Sequence, residues 1–96
     1  MKSISKKDFL SLYNKEILNI IDIRPANIYK KHNILNSINI KEHLLLKYPS
    51  RYLTFNKTYY IICSKGISSY HVVTILNNKG FNTISVIGGY DNLFSN

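Results

Sequence analysis

Tyr59-Tyr60-Ile61-Ile62-Cys63-Ser64-Lys65-Gly66-Ile67-Ser68-Ser69 decides the reading of this chain. Tyr59 to Cys63 is short and wholly apolar, which predicts a buried strand. Ser64 to Ser69 contains Gly66 and predicts a loop. Beyond it, Val72, Val73, Ile75 and Leu76 recur at helical spacing, so a helix is predicted from Ser69 to Lys79. Gly80 stands where a helix C-cap glycine belongs. Strand, cysteine, glycine loop and helix start together form a physical device. Backbone N–H groups of the loop can turn inward as an anion nest. The helix adds its positive end and its unpaired N–H groups. Both favour thiolate over thiol at Cys63. Lys65 adds a mobile positive charge, and Ser68 and Ser69 add hydroxyl donors. Gly66 lets the chain turn with positive φ or approach a ligand closely. Cys63 also has a plain structural reading, as a small buried hydrophobe at a strand end.

The flanks extend the pattern outward. Ile17 to Ile23 is β-branched and nearly all apolar, and predicts a second buried strand. Pro25 fits the first position of a short helix to about Lys30. Ile34 to Ile40 alternates in part and suggests another strand. Lys41 to Lys47 reads as a helix with Leu44, Leu45 and Leu46 on its apolar face, ended by Pro49. Ser5 can cap a first helix from Lys6 to about Tyr13. Thr83 to Ile87 is a last strand, followed by Gly88-Gly89 and a short terminal turn. Strands separated by helices predict an α/β fold, a mainly parallel central sheet with helices on both faces. In such sheets the site lies at the carboxyl ends of the strands. That rule points to the loop opened by Cys63.

Composition narrows the chemistry. The chain has 96 residues, of which 45% are apolar, and this suits one folded domain over 1–96 rather than a disordered chain. One cysteine allows no internal disulfide, no Cys-x-x-Cys pair and no multi-thiolate zinc site. His32, His43 and His71 have no ligand-like spacing with Cys63, so no metal and no cofactor are expected. The stretch from Met1 to Asp8 lacks the apolar core of a secretory signal, and no apolar run approaches the ~20 residues of a membrane helix. A cytoplasmic monomer without membrane contact is therefore expected.

The formal charge is +8, but it is spread out. Residues 1–31 carry seven basic and three acidic side chains, residues 32–64 four and one, and residues 65–96 two and one. No Arg-rich run or aromatic–basic interleave occurs, so specific nucleic-acid binding is not expected. The positive field would favour an anionic substrate or an acidic partner.

Four segments carry a family resemblance. Ile20-Ile21-Asp22-Ile23-Arg24-Pro25 is similar to a strand ending in Asp-x-Arg. Tyr29 to Ile40 resembles Tyr-x-x-Gly-His-Ile-Pro-Gly-Ala-Ile-Asn-Ile. Tyr60 to Ser69 resembles a strand and Cys-x-x-Gly-x-x-Ser loop. Lys79-Gly80-Phe81, then Val86-Ile87-Gly88-Gly89-Tyr90-Asp91, is similar to closing Gly-Phe and Gly-Gly-Tyr/Trp signatures. In this order and at this spacing the chain resembles a single-domain rhodanese over nearly its whole length.

The resemblance implies a three-layer rhodanese-like fold and a sulfurtransferase. Cys63 would be the nucleophile that carries a sulfane sulfur as a persulfide. Ser64, Lys65, Gly66, Ile67, Ser68 and Ser69 would cradle it. Lys65 would draw in a small anionic donor such as thiosulfate or a polysulfide, and Ser68 would hydrogen-bond near the sulfur. The acceptor would be a thiol or a protein sulfur acceptor. One thiol suffices for such a relay.

The chain also departs from the pattern. Ser64 and Ser68 stand where many relatives carry Arg, which leaves the basic role in the loop to Lys65, a point charge without a fork. Lys65 with Ser68 is closer to the thiosulfate-using variant of the loop. Asn33 replaces the usual His, and Leu35-Asn36 replaces Pro-Gly, in a segment expected to be structural. Tyr70 stands where a small residue is common and could crowd the loop.

Two other readings stay open at this level. A non-catalytic rhodanese-like module would bind a partner protein. A cysteine phosphatase or arsenate reductase would need Cys-x5-Arg, but the sixth residue after Cys63 is Ser69. Delivery of sulfur toward tRNA modification is not separated from generic sulfur relay.

Overall fold

The apolar runs become the strands of one parallel sheet. A computed structural model describes residues 2–95, so Met1 and Asn96, the ends of the expected 1–96 domain, lie outside the described residues. The strands are β1 (Ser3–Ile4), β2 (Asn19–Asp22), β3 (Ser37–Asn39), β4 (Thr58–Ile62) and β5 (Asn82–Val86). The helices are α1 (Lys6–Lys15), α2 (Ala26–Lys31), α3 (Glu42–Lys47), α4 (Pro49–Tyr52), α5 (Ile67–Asn78) and α6 (Gly89–Leu93). The strand order is β1-β5-β4-β2-β3, and every neighbouring pair is parallel.

Alternation along the strands divides the core in two. Ile20, Tyr60, Ile62, Ile84 and Val86 pack with Phe9 of α1 and with Tyr90 and Leu93 of α6. Ile21, Tyr59 and Ile61 pack with Leu45 of α3 and with Val72, Val73 and Leu76 of α5. Both faces are covered, as a parallel sheet requires. The α/β fold with helices on both faces is thus observed.

Local chemistry sets the helix ends. Ser5 Oγ accepts from the Asp8 N–H at 3.1 Å and caps α1. At the end of α5 the Gly80 N–H donates to Asn77 O at 3.0 Å and the Phe81 N–H to Leu76 O at 3.1 Å. This is a Schellman closure, and it needs the left-handed φ of 98° that Gly80 adopts.

The topology positions the site. From the edge strand β1 the chain crosses to β2, moves outward to β3, returns to β4, and then moves the other way to β5, which lies between β4 and β1. The strand order therefore reverses between β2 and β4. A crevice opens at the carboxyl ends of two strands whose connections diverge. Residues 23–25 leave β2 there, and Cys63 leaves β4 there.

The structure departs from several expectations. β1 is a two-residue strand, paired to Ser85 and Val86, that local patterning does not reveal. Pro49 does end α3, but it also starts α4, where its missing N–H costs nothing. Pro25 is the N-cap of α2 rather than its first residue. Ile17, expected in a strand, is 87% exposed before β2 begins. Ile38 lies on the solvent side of the edge strand β3. α5 starts two residues earlier than Ser69, and the expected terminal turn is the short helix α6. Asn36 takes a left-handed φ of 73°, which a non-glycine residue of its type tolerates best. Among the described residues no helix is long and apolar enough to cross a membrane.

Candidate active site

Cys63 is the first residue past β4, so its side chain emerges at the carboxyl edge of the sheet. Gly66, with φ of 86°, turns the chain back, and α5 begins at the next residue. The turn sets the helix N-terminus against the sulfur. The Gly66 N–H donates to Cys63 Sγ at 3.0 Å and the Ser69 N–H at 3.3 Å. Gly66 has no side chain with which to cap the helix, and Sγ fills that acceptor position instead. The Cys63 thiol donates to Ser69 Oγ at 3.3 Å, and Ser69 Oγ lies 2.7 Å from Ser85 Oγ on β5. Ser69 and Ser85 are fully buried. Donors held this way, together with the end of a twelve-residue helix, stabilise negative charge on sulfur.

A second layer fixes the loop from behind. The Tyr90 N–H donates to Cys63 O at 2.8 Å, and the Asp91 N–H to Ser64 O at 2.9 Å. A Cβ on Gly66 would stand 2.7 Å from Gly88 N, and one on Gly89 would stand 2.6 Å from Gly66 N. The loop and the start of α6 therefore pack backbone on backbone. Tyr90 is held in turn by Arg24, whose guanidinium carbon lies 3.6 Å from the ring centroid. Arg24 Nη2 meets Asp22 Oδ2 at 2.8 Å, and Nε donates to both Asp22 oxygens. The other bond of Nη2 goes to His32 O at 2.7 Å. Among the described residues this is the only ion pair, and both partners are buried.

In front of the sulfur lies an open cleft of about 520 Å³. Ile23, Arg24 and Pro25 form one wall, and Glu42 stands at the start of α3. Ser64, Lys65, Ile67 and Ser68 form the other wall, with Cys63 between. Gly66 and Ser69 do not line the cleft; they bond to Sγ from beneath. The hydroxyl at Sγ thus belongs to Ser69, and Ser68, expected near the sulfur, is exposed on the cleft wall. Lys65 is exposed and, among the described residues, has no ion-pair partner. Tyr70 is 48% exposed and stands clear of the cleft, so it does not crowd the loop. His71 is exposed on α5. Among the described residues no cluster of three or more His, Cys, Asp or Glu side chains offers a metal site.

Sequence reasoning left four residues without a role in the site. Arg24 and Asp22 did carry a signal, since residues two apart at a strand end share one face. Glu42 enters the cleft only because α3 starts beside it. Ser85 reaches Ser69 across the packing of β5 on α5, which no local pattern encodes.

Comparison with known proteins places the chain. The family model described as Rhodanese-like domain matches residues 5–96. A crystal structure of a protein from Staphylococcus saprophyticus shares 30% identity, with a TM-score of 0.87 over 97% of this chain and 93% of that one. A rhodanese-related protein from Thermoplasma volcanium shares 29% identity, with a TM-score of 0.84 over 97% and 90%. A rhodanese-like domain protein from Staphylococcus aureus shares 26% identity, with a TM-score of 0.86 over 97% and 91%. No match was found among curated proteins. With the family model covering nearly all of the sequence, and the fold shared with these structures, the chain belongs to the rhodanese-like domain family.

Proposed function

We propose that this protein is a sulfurtransferase of the rhodanese type, with Cys63 as its sulfur carrier. The observation that supports this best is the convergence of the Gly66 and Ser69 N–H groups on Sγ at the floor of an open cleft. A cysteine that only filled core space would not also stand at the floor of an open cleft.

The reaction has two halves. The Cys63 thiolate attacks the outer sulfur of thiosulfate or of a polysulfide. The donor's S–S bond breaks, and sulfite or the shortened polysulfide leaves with the electron pair. Cys63 is now a persulfide, held over the N-terminus of α5. A thiol or another nucleophilic acceptor then attacks the outer sulfur, and the Cys63 thiolate leaves with the pair of the breaking S–S bond. Splitting the transfer this way gives ping-pong kinetics and needs no second cysteine. In the first half-reaction Lys65 attracts the anionic donor as a mobile point charge. The first-turn N–H groups of Ile67 and Ser68 have no partner within the helix and are available to the outer sulfur. No cofactor is needed.

The phosphatase reading lacks support at the cleft. Arg24 borders it, but its guanidinium is committed to Asp22, His32 O and the Tyr90 ring. A tetrahedral oxyanion would therefore find no free arginine fork. The test is turnover from thiosulfate to cyanide, read as thiocyanate. Saturable ping-pong turnover that is absent in Cys63→Ser supports the proposal. No turnover with thiosulfate or with polysulfide would favour a partner-binding module instead.

A further inference from the structure

We propose that Ser85 is a positioning residue for Cys63: its buried hydroxyl orients the Ser69 hydroxyl toward the sulfur and stabilises the sulfur as an anion. This deepens the proposed function and rests on Cys63 acting as a nucleophile. Ser85 lies on β5, far from the loop in sequence, and its Oγ is 2.7 Å from Ser69 Oγ. Ser69 Oγ is in turn 3.3 Å from Sγ. The three groups form a chain that runs from the cleft floor into the core.

The direction of the chain depends on the charge of the sulfur. Each hydroxyl has one proton to donate. While Cys63 is a thiol it donates to Ser69 Oγ, and Ser69 donates its own O–H to Ser85 Oγ. The Ser85 proton then meets no acceptor among the hydrogen bonds of the described residues. Ser69 is 0% exposed and Ser85 1%, so bulk solvent does not reach either hydroxyl. When Cys63 is anionic the chain reverses. Ser85 donates to Ser69, Ser69 donates to Sγ, and every buried hydroxyl proton is used. A buried donor without a partner is costly, so this count favours the anion. Hydrogen bonds in a chain also polarise one another, which strengthens the last donor.

The charged and titratable groups around the sulfur are Arg24, which follows β2 and pairs with Asp22 at its end, Glu42 on α3, Lys65 in the loop, and Tyr90 and Asp91 on α6. β5 has no titratable residue, and the buried face of α5 is Ser69, Val72, Val73 and Leu76. None of the charged groups is hydrogen-bonded to Ser69 or Ser85. Changing Ser85 therefore alters the hydroxyl chain and leaves the charges in place.

The experiment follows the rate of Cys63 alkylation by iodoacetamide across pH, which requires no sulfur donor. Failure here would leave sulfur transfer intact as a reading, and failure of sulfur transfer would leave this measurement meaningful. Ser85→Ala, Ser85→Val and Ser85→Thr are compared, each verified as folded by circular dichroism. Val and Thr have nearly one shape, and only Thr retains a hydroxyl. Loss of the Ser85–Ser69 hydrogen bond, which orients and polarises the last donor to Sγ, predicts alkylation about three- to tenfold slower at neutral pH in Ala and Val. Their pH profiles move to higher pH, while Thr stays close to the wild type. If Val and Thr react alike, or if the Ala profile coincides with the wild type, the proposal is overturned. Should Ala fail to fold, the Val and Thr pair decides alone.

Discussion

Replacing Asp22 with alanine removes the one counter-charge that pairs with the buried Arg24 guanidinium among the described residues. Asp22 Oδ1 accepts from the Arg24 backbone N–H at 2.9 Å and from Nε at 3.0 Å, and Oδ2 accepts from Nε and Nη2. Arg24 is 4% exposed, so the charge cannot relax into water. What remains is one bond to His32 O and the face of Tyr90. Breaking a buried ion pair from one side costs about 3–5 kcal/mol. Domains of this size have total stabilities of roughly 5–15 kcal/mol, so about a fifth of the stability or more is at stake. At about 4–8 °C per kcal/mol the melting temperature falls by more than about 12 °C. The assay is urea unfolding followed by circular dichroism, with the slope checked for constancy. The double variant Asp22→Leu/Arg24→Met, which removes both charges, recovers most of the loss. A loss below about 1 kcal/mol in Asp22→Ala would refute the reasoning, because that is the range of a solvated surface pair. The damage also reaches the site, since Arg24 holds the Tyr90 ring and the Tyr90 N–H holds Cys63 O.

Three further outcomes are expected. Gly66→Ala places a side chain at a φ of 86°, 2.7 Å from Gly88 N, so it costs about 1–3 kcal/mol in urea melts and displaces the N–H that donates to Sγ. Lys65→Ala leaves stability within about 0.5 kcal/mol, as an exposed site should, but lowers kcat/KM for thiosulfate more than for a neutral donor. Equal loss with both donors would remove charge attraction from its role, and added salt should shrink the difference. Burial, with the charge of Glu16 adding to it, holds the Tyr60 phenol above its ordinary value of 10.0. The folded state then binds that proton more tightly than the unfolded chain. Its contribution is complete below pH 10 and is lost as pH rises through the raised value. Tyr60→Phe should flatten this alkaline loss in urea melts, and an unchanged alkaline slope would contradict the assignment.

The central strand and its cysteine loop were legible because their signals are local. Tyr59 to Cys63 is an apolar run, and Gly66 and Gly80 sit where a positive φ is required. The seven residues from Cys63 to Ser69 carry one local signal, but which hydroxyl faces Sγ is not written in it. Whether Ser68 or Ser69 meets the sulfur depends on where α5 starts, and periodicity placed that start two residues late. β1 was invisible because Ser3–Ile4 becomes a strand only through pairing with β5. Ile34, Ile38 and Ile40 alternate in part, which predicts a strand but not which of its faces is covered. In fact β3 is an edge strand of three residues, and Asn36 redirects the chain just before it. Arg24 and Ser85 illustrate a second limit. Their parts in the site come from contacts between β2 and α6 and between β5 and α5, and such contacts are set by topology rather than by spacing.

The most direct test of the account is the intact mass of the reduced protein after incubation with thiosulfate. A gain equal to one sulfur atom is expected, reversed by cyanide and absent in Cys63→Ser. An unchanged mass with thiosulfate and with polysulfide alike would contradict a persulfide carrier at Cys63.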